Sequence, residues 1–166
     1  MNDILKNLTE EEKDIYFMKE ALREAALAEE KDEVPIGAVI VRDGKIIARA
    51  HNLRQSNKCA THHAELLAIE SACSTLGGWR LPGVTLYCTL EPCCMCAGAI
   101  INSRIERVVF GAFDLRFGAM GSLTDINSIG LNHRAKVKSG VLLVECRDML
   151  KSYFKTKREQ KSAESD

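Results

Sequence analysis

A layered α/β domain is the fold class this chain predicts, on three observations. Apolar residues recur at helical spacing early and late in the chain, short β-branched runs lie between those segments, and Gly, Pro and Asp-Gly breaks separate them. Helices alternating with strands bury a sheet between helical layers. The 166 residues suit one compact domain, residues 1–166, large enough to bury most of its unfolded apolar surface without covalent staples.

Each element has its own signal. Thr9 and Glu12 can form a capping box, and Ile15, Met18, Leu22 and Ala25 follow at helical spacing, so a first helix is expected from about Glu10 to Glu30. Pro35 keeps it from continuing. Gly37 to Arg42 and Ile46 to Ala50 flank Asp43-Gly44, a dipeptide that favours a tight turn, and predict an antiparallel pair. Leu66, Ile69 and Cys73 give a second helix that begins near His63 and is stopped by Gly77-Gly78. Val84 to Thr89 reads as a buried strand, a third helix starts at the Pro92-Cys93 corner and ends near Asn102-Ser103, and Arg107 to Gly111 is the next strand. The Gly-rich stretch that follows, to about Asn132, is too long for a simple connection and has the character of a functional loop. Ala135 to Lys138 suits a last edge strand, and Leu142, Cys146, Met149, Leu150 and Tyr153 line one face of a final helix. Only Met1 to Leu8 and roughly Glu159 to Asp166 read as loosely ordered ends.

Composition narrows the setting. Of seven cysteines two have metal spacing, and no signal-peptide pattern opens the chain, so a reducing, cytoplasmic setting is expected, with free thiols at Cys59, Cys73, Cys88, Cys94 and Cys146. No uninterrupted apolar run approaches the roughly 20 residues of a membrane span, so no membrane partner is expected. Formal net charge is zero, but Glu10, Glu11, Glu12, Asp14, Glu20, Glu24, Glu29 and Glu30 load the first helix with acid while Arg134, Lys136, Lys138, Arg147, Lys151, Lys155, Lys157, Arg158 and Lys161 load the end with base. A polyanion can meet the basic end while the acidic helix faces away, because exposed charges beyond about 10 Å are largely screened. An ordinary solvated tail explains the same charges.

The chemistry lies in two fragments, Thr61-His62-His63-Ala64-Glu65 and Pro92-Cys93-Cys94-Met95-Cys96. His63, Cys93 and Cys96 supply one imidazole and two thiolates, which leave a fourth tetrahedral position on zinc for water, with the Glu65 carboxylate beside it. Cys93 and Cys96 lie three apart, on one face of a helix whose N-terminus favours thiolates. His63 and Glu65 lie two apart and would diverge on a regular helix, so His63 is expected at the helix entry, where dihedrals are not yet regular. Two thiolates offset the metal's charge and leave its water less acidified than three neutral ligands would, so Glu65 must act as general base and then general acid. A closed four-ligand staple, completed by Cys59, His62, Cys88 or Cys94, is the structural alternative.

His-x-Glu followed by Pro-Cys-x-x-Cys is the signature of zinc nucleobase deaminases, of which the tRNA adenosine deaminase (TadA) family is itself the standing example. The chain resembles that family through Val34-Pro35-Ile36-Gly37-Ala38-Val39, Asn52, both metal segments, Leu90-Glu91-Pro92, Gly98-Ala99-Ile100, Arg107 to Ala112, Asp114, Gly121-Ser122 and Asn132-His133-Arg134. The resemblance implies a three-layer α/β/α cytidine-deaminase-like fold around a mixed five-stranded sheet, one zinc per subunit, a homodimer, and conversion of adenosine to inosine at the wobble position of a tRNA anticodon stem-loop. It also implies that Asn52 contacts the target ribose, offering an amide donor to its 2′-hydroxyl, that Asp114 lies beside the flanking nucleotides, and that Phe154, Lys157 and Arg158 belong to a C-terminal helix touching the anticodon stem and loop. Phe113, Arg116 and Phe117 around Asp114 suit a stacking platform, and equally core or dimer contacts. His62 stands where the family usually has Ala, and either competes for metal or packs at the sheet edge. A deaminase of free guanine, cytosine or dCMP shares the zinc ligands and remains the enzymatic alternative.

Overall fold

The computed structural model describes residue 5 and residues 7–163. The first described segment with a full boundary is helix α1 (Glu10–Glu30). The Thr9 hydroxyl accepts from the Glu12 backbone N–H at 3.2 Å while the Glu12 carboxylate accepts from the Thr9 backbone N–H at 2.8 Å. That reciprocal cap satisfies two donors a helix start leaves open, worth about 1 kcal/mol.

Strands β1 (Gly37–Arg42) and β2 (Lys45–His51) follow as an antiparallel pair. Their turn places Asp43 at φ 50° and Gly44 at φ 69°, the left-handed pair that a two-residue turn needs to match strand twist. Helix α2 (Ala64–Leu76), strand β3 (Val84–Leu90), helix α3 (Cys94–Asn102), strand β4 (Arg107–Ala112), a short 3₁₀ turn (Ile126–Ser128), strand β5 (Lys136–Lys138) and helix α4 (Leu143–Ala163) complete the order. The strands assemble as β2-β1-β3-β4-β5, with β1 antiparallel to both neighbours and β3, β4 and β5 mutually parallel. This is the mixed five-stranded sheet expected.

Alternation along the strands builds two cores. Ala38, Ile40, Leu86, Cys88, Val108 and Phe110 face one way, against Ala64, Ala68, Ala72, Ala97 and Ile100 of α2 and α3. Val39, Val41, Tyr87 and Val109 face the other, against Phe17, Met18 and Ala21 of α1 and Cys146 of α4. Because β2 and β3 are each antiparallel to β1 and so run the same way, α2 and α3, which follow them, both begin at the same end of the sheet, and the two metal fragments meet there. No described helix is long and apolar enough to cross a membrane.

Two expectations are corrected. The acids of α1 do not all face away from the basic end: Asp14, Glu20 and Glu24 are buried. Asp14 takes hydrogen bonds from Arg107 at 2.7 Å, Lys138 at 2.8 Å and Tyr87 at 2.9 Å, while Glu20 pairs with Arg49 at 2.6 Å and Glu24 with His51 at 3.1 Å. Strand cations thus draw part of the acidic run inward, and Lys138 of the basic run, itself part-exposed, reaches in to Asp14. At the ends, most of Met1 to Leu8 lies outside the described residues, but Leu5 is buried in the α1 face of the core. Helix α4 continues to Ala163, past the expected fraying at Glu159, through a run of good helix formers that includes a Lys155–Glu159 pair at 3.9 Å.

Candidate active site at two helix starts

The metal-ligating side chains sit where two helices begin. His63 is the N-cap of α2 with extended dihedrals (φ −74°, ψ 152°), so its side chain leaves the helix in a direction a helical residue could not take. Cys93 is the extended N-cap of α3 (φ −73°, ψ 175°), and Cys96 lies in the first turn. His63 Nδ1 stands 3.7 Å from Cys93 Sγ and 3.6 Å from Cys96 Sγ, and the three donor atoms all lie within 4.8 Å of one another. In a tetrahedral shell with nitrogen at about 2.0 Å and sulfur at about 2.3 Å, N and S are separated by about 3.5 Å. The set fits one zinc ion per chain. Among the described residues no further His, Cys, Asp or Glu joins the group: Cys59 bonds Thr61 at 3.3 Å, Cys88 is buried against the Val109 carbonyl, Cys94 is exposed, and His62 Nδ1 lies 2.8 Å from the Asn57 amide.

Both helix N-termini direct their positive ends at this point, which favours anionic sulfur. The hydrogen bond from Cys96 and the neighbouring His63 imidazole bring the Cys93 thiol down to about 4. Cys96, which holds the shared proton, is pushed up, and the Cys93 contact raises His63. Glu65 follows His63 into the first turn of α2 and is only 3% exposed. Burial lifts its carboxyl up to about 7, against the pull of its own backbone N–H and of His63.

A model of the cytidine and deoxycytidylate deaminase zinc-binding region matches residues 11–112, which span His63, Glu65, Cys93 and Cys96. The tRNA-specific adenosine deaminase of Bacillus subtilis (strain 168) is 56% identical over 151 residues, covering 90% of this chain and 94% of its own. The chain belongs to the tRNA-specific adenosine deaminase family. A solved structure from work on A-to-I editing by tRNA:A34 deaminases at the wobble position is similar with a TM-score of 0.75 at 44% identity, covering 81% of this chain and 98% of that one. A guanine deaminase from Bacillus subtilis is more distant, with a TM-score of 0.58 at 30% identity over 75% of this chain and 88% of its own.

The rim of this deaminase site is organised by two buried carboxylates, Glu33 and Glu91. Glu91, two residues before Cys93, accepts from the backbone N–H of Asp114 at 3.1 Å, Met120 at 3.1 Å and Ser122 at 3.0 Å, and from the Ser122 hydroxyl. It thereby pins the long loop after β4 to the start of α3. Gly118 passes so close that a Cβ would stand 2.4 Å from the Asp114 carbonyl and 2.5 Å from the Glu91 carboxyl, leaving room only for glycine. Asp114 turns its carboxylate back on its own loop, accepting from the Arg116 N–H at 2.9 Å and the Phe117 N–H at 3.1 Å.

A groove of about 850 Å³ opens between this loop and α4, with Phe113, Asp114, Arg116 and Phe117 on one wall and Arg147, Lys151, Phe154 and Arg158 on the other. Phe154 is 45% exposed there. The groove therefore holds Asp114, Phe154 and Arg158 together, with Leu90, three residues before Cys93, on its floor. Lys157 points elsewhere: its ammonium pairs with Asp32 and lies 5.7 Å from the Tyr153 ring, and the Tyr153 hydroxyl donates to the Asp32 carbonyl at 3.0 Å, so this turn of α4 is fastened to the α1–β1 connection. Asn52 is 3% exposed, and its amide donates to the Glu33 carboxylate at 3.0 Å. His51 lies between Glu24 and Lys31, and His133 meets the Ile105 carbonyl at 2.7 Å. Sequence reasoning assigned no role to Glu33 or Glu91. Glu91 at least sits inside the Leu-Glu-Pro-Cys run, but the partners of Glu33 lie 19 and 23 positions away, with no local pattern to mark them.

Proposed function

We propose that this chain is a hydrolase that converts adenosine to inosine at the wobble position of a tRNA anticodon, releasing ammonia. The observation that carries the reading is the juxtaposition of a three-donor metal cluster, His63, Cys93 and Cys96, with a buried carboxyl, Glu65, that makes no salt bridge among the described residues. Zinc, when bound, supplies a Lewis acid that makes water nucleophilic near neutral pH. His63, Cys93 and Cys96 would hold it, and Glu65 removes a proton from the water that attacks C6 of adenine, delivers it to the adjacent ring nitrogen, then takes the proton of the new C6 hydroxyl and gives it to the amine that leaves as ammonia. A carboxyl lifted toward neutrality by burial is suited to both directions of transfer. Asn52 contacts the target ribose, and the groove lined by Asp114, Phe154 and Arg158 receives the flanking nucleotides and phosphates, aromatic faces stacking on bases and guanidinium groups meeting the backbone.

An anticodon loop presents bases that are already unpaired, which reduces the few kcal/mol that flipping a base from a duplex costs. The resemblance supports a homodimer, and Leu123, Ile129 and Leu131, exposed beyond β4, offer apolar surface for a second copy. A tRNA substrate together with seven unbridged cysteines supports the cytoplasm as its compartment. Incubating the zinc-loaded protein with total tRNA and sequencing for A-to-G changes tests the reading. Conversion at the wobble position, with no ammonia from free guanine, cytosine or dCMP, is the expected result, and turnover of a free base alone would replace it with the nucleobase deaminase alternative.

A further inference from the structure

We infer that Glu33 is a positioning residue that fixes which end of the Asn52 amide faces the substrate, so that Asn52 presents its oxygen as an acceptor and not the amide donor expected from the resemblance. This rests on the reading that Asn52 contacts the target sugar. Glu33 is 1% exposed. One of its oxygens accepts the Ser56 backbone N–H at 2.6 Å and the other accepts the Asn52 Nδ2 at 3.0 Å. An amide oxygen turned toward a carboxylate would place acceptor against acceptor, so the carboxylate selects the orientation with nitrogen inward.

The other end of the amide is then determined. No described donor reaches Asn52 Oδ1, and no buried side-chain polar atom in the described residues lacks a partner, so this oxygen opens onto solvent. The backbone keeps it next to the chemistry: Asn52 N–H donates to the Ile36 carbonyl at 3.0 Å, and the following Leu53 N–H donates to the His62 carbonyl at 3.1 Å, one residue from His63. A group that meets Oδ1 must donate. The ribose 2′-hydroxyl can do so, and a 2′-deoxy sugar cannot, which makes Glu33 a determinant of RNA over DNA at the target position.

Glu33→Gln tests the assignment with little change of shape. Its Oε1 still accepts the Ser56 N–H, but its Nε2 now faces Asn52 and favours the reversed amide. Three RNA stem-loops carrying adenosine, 2′-deoxyadenosine or 2′-fluoro-2′-deoxyadenosine at the target are compared by kcat and KM, alongside zinc content and thermal midpoint, for the native chain, Glu33→Gln, Glu33→Asp, Asn52→Ala and the Glu33→Gln/Asn52→Ala pair. The native enzyme should favour the ribo substrate about tenfold or more, the loss of one substrate hydrogen bond. Glu33→Asp, which withdraws the carboxylate from the Asn52 amide, should shrink that ratio at least severalfold with zinc retained. Glu33→Gln turns an amide donor toward the sugar, so the 2′-fluoro target, which can only accept, should gain at least severalfold over its rate with the native chain. The double variant should be no worse than Asn52→Ala. A ribo/deoxy ratio that survives both Glu33 changes while Asn52→Ala abolishes it overturns the role of Glu33 alone, as do independent, multiplicative losses in the double variant. A ratio untouched by Asn52→Ala overturns the sugar contact itself, and the assignment with it.

Discussion

Glu65 occupies a position where a charged side chain costs stability unless it has work to do. At 3% exposure and with its carboxyl raised by burial to about 7, it has no ion pair among the described residues. Glu65→Gln keeps the volume and removes the proton transfer, so we expect zinc content and thermal midpoint to be retained while deamination of a tRNA stem-loop falls by about 10²–10⁴-fold, the usual worth of a general acid–base group. Metal loss in that variant would show instead that the carboxyl belongs to the metal's support. Cys96→Ser is the complementary case. Sulfur is removed from a buried ligand at the first turn of α3, so metal analysis should find zinc lost, and calorimetry should find the midpoint lower by roughly 5–10 °C, through the lost binding linkage. The gathering of His63, Cys93 and Cys96 beside the buried Glu65 was readable because each fragment is local: two residues apart at a helix entry, three apart on a helix turn. Asn52 was readable as a candidate, but its amide orientation was not, because Glu33 arrives from a different connection.

Among the elements, α1 is joined to the sheet by more than apolar contact. Burial alone would raise the Asp14 carboxyl, yet the bonds from Arg107, Lys138 and Tyr87 outweigh it and hold Asp14 below the usual range. A depressed carboxylate contributes stability that is present above its unfolded value of about 3.9 and disappears as pH falls through the folded value, so the network's contribution should be full above about pH 4 and decline progressively as pH falls below it. Asp14→Asn should cost about 2 kcal/mol at neutral pH, the scale of a hydrogen bond to a charged group, and should flatten the acid limb of a urea-midpoint against pH curve. Lys138 is 124 positions from Asp14 and Arg107 is 93. That distance explains why the sequence alone has the acidic helix facing away from the basic end. In the loop after β4, Gly118→Ala would drive a methyl group into the Asp114 carbonyl and the pinned Glu91 carboxyl. The expected outcome is zinc retained with KM for the stem-loop raised about tenfold, since the loop carries one wall of the groove.

For the molecule as a whole, zero net charge conceals an uneven surface, and the groove between the β4 loop and α4 gathers Arg116, Arg147, Lys151 and Arg158. Changing Arg116, Lys151 and Arg158 together to Gln should flatten the slope of log affinity against log salt by about 2, at roughly 0.7 per phosphate contact on a single strand, and raise KM more than it lowers kcat. Fluorescence anisotropy across a salt series reads this directly. Periodicity, caps and turn residues established the elements and their order, because those signals act within a few positions of the chain. The two metal fragments, close in sequence to the helix starts that hold them, disclosed the chemistry for the same reason. Which strands became neighbours, which acids were drawn inward, which face of α4 joined the groove while Lys157 turned to Asp32, and how Glu33 reached Asn52 emerged only on folding. Those relations depend on contacts between residues far apart in the chain, and packing, not local propensity, selects them.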